Sequence, residues 1–242
     1  KEFMIFDYCQ NFEFFDEHPD GANTTSMKPL LQQIFEAKLK ISQLITHLPD
    51  KTPAEVEVKD AYLTELHKII QNLDETRFVV RNQLRYVTAY SNKSKWLDLS
   101  KSDIQEVNSH LSHLQPASKG DDELARRFDM LVLVYQIVLL TGSSDTAKYI
   151  GKLYSTAAAL EKKDNIPQVA FHLPLIKEAQ TDHYWETINI KKLDELRIAL
   201  RDLIKYLEAV KQAPVYTNFE DVLDYEGIAV REIVSSSYVS LQ

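Results

Sequence analysis

The chain has a single cysteine, Cys9, among its 242 residues, so no disulfide can close within it. No charged, apolar and cleavable leader stands at its start, and a reducing compartment, the cytoplasm, is the expected location. Glycine is scarce too, standing only at 21, 120, 142, 151 and 227. A loop that cradles phosphate needs clustered glycines ahead of Lys-Ser or Lys-Thr. Here Gly151-Lys152 runs into Leu153 and Gly142 lies nine residues back, so no such loop is written in this chain. Five glycines and eight prolines also argue against an all-β or a disordered chain. The longest apolar stretch, Phe128 to Leu140, is interrupted by Asp129 and Gln136 and falls short of the roughly 20 residues a membrane span needs. It reads as a buried core segment, and no membrane partner is expected.

A basic excess is missing as well. The net charge is −8. It is concentrated at the two ends: residues 1–20 carry six acids against Lys1, and residues 216–242 carry five against Arg231. The stretch between them is nearly neutral. Phosphate neutralisation drives non-specific nucleic-acid affinity, so any DNA contact has to be local or belong to a partner.

What the chain does have is helical periodicity between two short strand-like segments. Glu2-Phe3-Met4-Ile5-Phe6-Asp7 reads as a strand buried on both faces, and Pro214 to Phe219 as a second. Two strands alone are marginal in water, which suggests a sheet lying mostly outside this chain and a fragment of a longer protein. Leu30, Ile34, Ile41, Ile45 and Leu48 predict a helix over 27–48 that Pro49 closes. Thr52, Pro53 and Glu55 form the signature of a capped helix start, with Tyr62, Leu66, Ile69 and Leu73 facing inward. A helix over 75–90 would bury Val80, Leu84 and Val87, and Ser100-x-x-Asp103 opens another that runs to Leu114. Residues 122–140 form a central helix ended by Gly142, and 145–163 a further one. After Asn165-Ile166-Pro167 comes a shorter segment around 175–180. Leu193, Leu196, Leu200, Leu203, Leu207 and Val210 then make the clearest amphipathic stripe. The expected fold is mainly α, a multi-helix bundle-like domain over 25–213, with a strand and linker at 1–24 and a strand and tail at 214–242.

Few side-chain groups carry chemistry. Glu36-Ala37-Lys38 matches part of a metal-dependent nuclease pattern as text, but its helical position reads as a solvated face. His110 and His113 lack the context of a metal site and read as surface or capping histidines; Cys9 reads as a small hydrophobe. No catalytic, cofactor or metal residue is expected. Two groups are candidate DNA or partner contacts. Arg77, Arg81 and Arg85 recur at four-residue spacing, either as a stripe for phosphates or an acidic surface, or paired with nearby acids. His183, Tyr184 and Trp185 combine aromatics with polar tips, as at interfaces, or anchor the fold locally.

The opening Lys1 to Phe15 resembles the segment that leaves the second motor lobe of type I restriction enzyme R subunits. Phe78-Val79-Val80-Arg81 with Leu84-Arg85-Tyr86-Val87, Ala125 to Asp129, Leu173 to Glu178, Gln180 to Trp185, and Val215 to Asp221 resemble the helical region that follows in that family. The resemblance implies a parent polypeptide with a nuclease domain and a DEAD/DEAH-type motor using ATP and Mg, whose motifs would all precede Lys1. It implies, for this chain, the C-terminal helical domain that docks the motor onto the methyltransferase and specificity subunits, with DNA bound through the parent complex. The rival readings are an accessory DNA-contacting domain of the same motor and a free-standing helical adaptor.

Overall fold

The computed structural model describes residues 28–116, 122–143 and 146–207. The described residues form eleven α-helices and two 3-10 helices, and none of them is in a strand. The strand expectations at 2–7 and 214–219 lie outside the described residues, as does Cys9.

The helices follow in the order α1 (Leu30–His47), α2 (Pro53–Gln71), α3 (Phe78–Arg81), α4 (Leu84–Tyr90), a 3-10 turn (Lys93–Trp96), α5 (Lys101–His110), α6 (Glu123–Leu140), α7 (Ala147–Glu161), α8 (Pro167–Phe171), α9 (Leu173–Glu178), α10 (Asp182–Glu186) and α11 (Ile190–Leu200). The last runs directly into a second 3-10 helix, Arg201–Leu207.

Local chemistry sets many of the boundaries. Leu48 is held extended (ψ 136°) by the following Pro49, which stops α1. Thr52 and Glu55 close a reciprocal capping box at the start of α2, with Pro53 at its first position. Asp122 caps α6 through Leu124 N–H, and Gly142, at φ +69°, ends it. There Gly142 N–H donates to Leu139 and Ser143 N–H to Val138, a pair of bonds that requires the left-handed residue glycine supplies.

Four long elements form a ring: α1 packs on α2 and α6, and α11 packs on the same two helices. Contacts along the ring fix its directions. Lys191 meets Glu57 and Asp194 meets Tyr62, so α11 runs parallel to α2. Gln136 meets Ile190 while Asp129 meets Arg197, so α6 runs against α11. One end of the ring therefore carries the C-terminal ends of α2 and of the Arg201–Leu207 helix.

Apolar burial splits in two. The main core fills the ring and continues under α7 to α10, with Phe128, Leu131, Tyr135, Leu153, Ile176 and Leu193 among its members. A second core lies on the other side of α1 and α2, where Phe35, Leu39, Leu66 and Ile70 meet Val80, Val87, Tyr90, Trp96, Val107 and Leu111. Helices α1 and α2 thus contribute to both cores, which is why α1 is buried on nearly every side.

Several expectations are corrected. Ile70 completes the fully buried row Tyr62–Leu66–Ile70, while Ile69 is only partly buried against the second core, because α2 has to serve two cores rather than one. The helix expected over 75–90 is broken at Asn82–Gln83, where Gln83 adopts φ −113°, ψ 15°, and Leu84 is 40% exposed rather than buried. The segment after Ile166 is three short helices, and the amphipathic stripe changes from α to 3-10 at Arg201. Val210 lies outside the described residues.

The capping box of α5 makes one testable pH effect. Ser100 Oγ and N–H both donate to the Asp103 carboxylate, and these bonds, with a further one from the Tyr90 hydroxyl, hold its pKa below the usual range. A carboxyl whose folded pKa is depressed stabilises the fold above its unfolded pKa, near 4, and loses that contribution as pH falls through the folded pKa. Asp103→Asn is expected to cost about 1 kcal/mol between pH 5 and 8, a difference that shrinks below about pH 4. Urea unfolding at pH 7 and pH 3 measures both values.

Candidate functional site

Polar groups are buried where the four ring helices meet. The Tyr62 hydroxyl lies 2.7 Å from Asp194 Oδ1 and 2.8 Å from Gln136 Oε1, and Gln136 Nε2 donates to the Ile190 carbonyl at 2.9 Å. Arg197 donates to Asp194 at 2.9 Å and to Asp129 at 3.2 Å, while Arg201 reaches the other Asp129 oxygen at 3.1 Å. Lys38 pairs with Glu65 and stands 5.6 Å from the centre of the Tyr62 ring, with Arg197 5.8 Å from it. Three cations thus face three carboxylates.

Burial works against the charge on Arg197, but Tyr62, Asp194 and Asp129 together more than offset it and hold its pKa above the usual arginine range. Burial lowers the Lys38 pKa, with Glu65 opposing, and raises that of Tyr62 well above its ordinary value. Each group is bonded to a neighbour, so the arrangement ties the four ring helices together.

A second buried set lies on α1. Glu36, 2% exposed, accepts from Lys28 and Gln32 at 2.9 Å and from Ser112 at 3.2 Å. Glu36 and Lys38 are therefore not on a solvated face: each is buried by a different neighbour, Glu36 toward the turn after α5 and Lys38 toward the ring.

The candidate contacts are dispersed. Tyr184 and Trp185 are buried, the indole N–H donating to Ala179 O at 3.0 Å and the Tyr184 hydroxyl lying 3.4 Å from Lys192 O. They anchor α10 to the main core and leave only His183, beside Glu186, at the surface. His110 stacks on Tyr86 at 3.9 Å and its Nδ1 bonds Gln83 Oε1 at 3.0 Å, which fastens α4 to α5, and His113 is exposed. Arg77 stands at the start of α3 with its guanidinium on the Leu114 carbonyl at 2.9 Å, so it ties the chain rather than displaying charge. Arg81 ends α3 and Arg85 lies in α4, so the three arginines share no single helix.

Arg81 and Arg85 nevertheless belong to a distinctive surface. Between Phe78 and Arg85, only Val80 is buried and only Gln83 is half-buried; the other six side chains are exposed. Phe78 is 75% exposed and Val79 44%. Neither arginine pairs with a carboxylate among the described residues, and the Arg85 guanidinium lies over the Tyr86 ring at 5.7 Å. Val80 and Val87 insert into the second core beneath, while Arg77 and the Gln83–His110 bond hold either side. A braced platform with an aromatic, two aliphatics and two arginines has the composition of an interface centre. The four-residue spacing flagged the arginines; the break at Asn82–Gln83, after which Leu84 is exposed, has no sequence signal.

Other features are bland. A hollow of about 400 Å³ between α2 and the 3-10 turn is walled by Thr64, Lys68, Gln71, Asn92 and Lys93 over His67, whose Nε2 bonds the Ser91 carbonyl at 2.9 Å. Among the described residues no group of three or more His, Cys, Asp or Glu side chains is placed to hold a metal, and no helix is long and apolar enough to cross a membrane. Compared with protein-family models, curated proteins and solved structures, the chain matches none of them.

Proposed function

We propose that this chain is a docking domain: the C-terminal helical part of a type I restriction motor subunit, without a reaction of its own, that holds the ATP-dependent DNA translocase and endonuclease onto the methyltransferase–specificity core. The observation that supports this most is the exposed run from Phe78 to Arg85, where large apolar side chains and arginines with no carboxylate partner among the described residues are displayed on a braced support. Those residues also carry part of the family resemblance. The buried ion network suits the same role, since a translocating motor does work only against a frame that keeps its helices in register. ATP and Mg would be bound by the parent polypeptide, in the cytoplasm.

The test is calorimetric titration of the chain against its cognate methyltransferase–specificity complex. Arg81→Glu with Arg85→Glu and Leu84→Ser is expected to weaken binding about 100-fold, the loss of two or three interface-centre side chains. Undiminished affinity overturns the role of this surface. A second reading, direct DNA contact, is favoured by the same two exposed arginines. If the variant keeps core binding but loses duplex affinity, with a salt slope smaller by about 2, the surface serves DNA instead.

A further inference from the structure

The hollow between α2 and the 3-10 turn Lys93–Trp96 holds no reactive group, but its walls carry charge of one sign. Thr64, His67, Lys68 and Gln71 follow the i, i+3, i+4, i+7 spacing of one helix face, so the last two turns of α2 form one wall. Ser91, Asn92 and Lys93 form the other. No carboxylate lines the hollow, and neither Lys68 nor Lys93 has an ion-pair partner among the described residues.

Several donors are left over once the walls are built. His67, 7% exposed, bonds through Nε2 to the Ser91 carbonyl at 2.9 Å, which spans the two walls and fixes their separation. A carbonyl only accepts, so the ring proton is on Nε2, and Nδ1 has no hydrogen bond among the described residues. Trp96 backs this ring edge-on at 6.1 Å. Asn92 Oδ1 accepts from Ser94 N–H at 3.0 Å and from Ser94 Oγ at 2.9 Å, which leaves the Asn92 amide hydrogens unused. The side chains of Thr64 and Gln71 are unused as well. Asn72 N–H donates to the Lys68 and Ile70 carbonyls and so blunts the negative end of α2. Two ammonium groups with amide and hydroxyl donors around a preset hollow suit a tetrahedral oxyanion. Its volume, about 400 Å³, exceeds what one ion fills and falls in the range of sites for small organic ligands.

We propose that this hollow binds a phosphate group, as the free ion or as a small phosphomonoester. Lys68 and Lys93 neutralise its charge, and Thr64, Gln71 and Asn92 donate hydrogen bonds to its oxygens. The site shares no residue with the Phe78–Arg85 surface, so it stands or falls independently of the docking function.

The experiment is a nuclear magnetic resonance titration of the full chain, labelled with nitrogen-15, at low salt, with inorganic phosphate and separately with adenosine monophosphate. The amides of Lys68, Gln71, Asn92 and Lys93 and the His67 Nδ1 resonance are expected to shift together and to saturate. Tighter binding of the monophosphate assigns the site to an ester, and equal binding assigns it to the free ion. Lys68→Glu with Lys93→Glu is expected to weaken binding about tenfold. Lys51→Glu with Lys162→Glu changes the net charge equally at two other exposed lysines and is expected to leave binding unchanged. Equal losses in the two variants overturn the proposal, as do shifts that never saturate, because either marks general attraction of anions. Saturable binding of a short DNA duplex through Lys68 and Lys93, with neither phosphate compound bound, also overturns it and gives the hollow to a polynucleotide backbone.

Discussion

Arg197→Ala is expected to lower the unfolding free energy by about 3–5 kcal/mol, one of the two largest single-residue losses in this protein. The guanidinium is 8% exposed and binds both Asp194 and Asp129, carboxylates that are 12% and 6% exposed. Truncation leaves Asp194 with the Tyr62 hydroxyl alone and Asp129 with the half-buried Arg201, so two charges remain in a poorly hydrated interior with too few partners. The cost is that of stranded charge rather than the net worth of the pairs. Replacing Asp129, Asp194, Arg197 and Lys38 together by apolar residues of similar volume is therefore expected to cost much less than the single truncation. In a chain of this size the single change moves the melting temperature by roughly 10 °C. A loss under about 1 kcal/mol in chemical denaturation would show that water or side-chain rearrangement compensates the pair, and that the network does not hold the ring.

Trp96→Ala is the second large effect, expected at about 3–5 kcal/mol. The indole is 4% exposed, donates to Tyr90 O at 2.7 Å, and meets the Tyr90 and His67 rings edge-on at 6.3 and 6.1 Å. It sits in the second core, yet its removal is expected to loosen the first, because α1 and α2 present one face to each. The substitution leaves Trp185, which belongs to the main core, as the only tryptophan. Its fluorescence midpoint in urea is expected to fall together with the far-ultraviolet signal in one transition. A Trp185 midpoint unchanged from the native chain would mean two independently folding units.

Much of the architecture was legible because its signals are local. The Thr52-Pro53-Glu55 start, the Ser100–Asp103 box and the Gly142 stop each depend on residues within one helical turn, and each falls where its sequence places it. The central position of 122–140 was legible from its apolar length. Burial of Glu36, Lys38, Asp129 and Arg197 was not: each is made tolerable by a partner distant in sequence, with 76 positions separating Glu36 from Ser112 and 68 separating Asp129 from Arg197. A charged residue on a helix reads as solvated until the neighbouring helix is known. The choice of Ile70 over Ile69 was hidden for the same reason, since only a second packing partner rotates the buried row.

The surface itself was half legible. Spacing picked out Arg81 and Arg85 but placed Arg77 with them, whereas Arg77 is consumed by the Leu114 carbonyl. It also placed Leu84 in the core, from which the turn at Gln83 removes it. Tyr184 and Trp185, chosen for their interface-like chemistry, use both polar tips inside the fold. Aromatic content alone does not distinguish an anchor from a contact; the hydrogen-bond partner does.

The most direct test of the docking account is a hydrogen-exchange footprint of the chain with and without its cognate methyltransferase–specificity complex. Amides from Phe78 to Tyr90 are expected to slow about tenfold further in the complex, while the buried ring helices change little. Protection appearing only on other surfaces, or none at all under conditions where the complex forms, would contradict it.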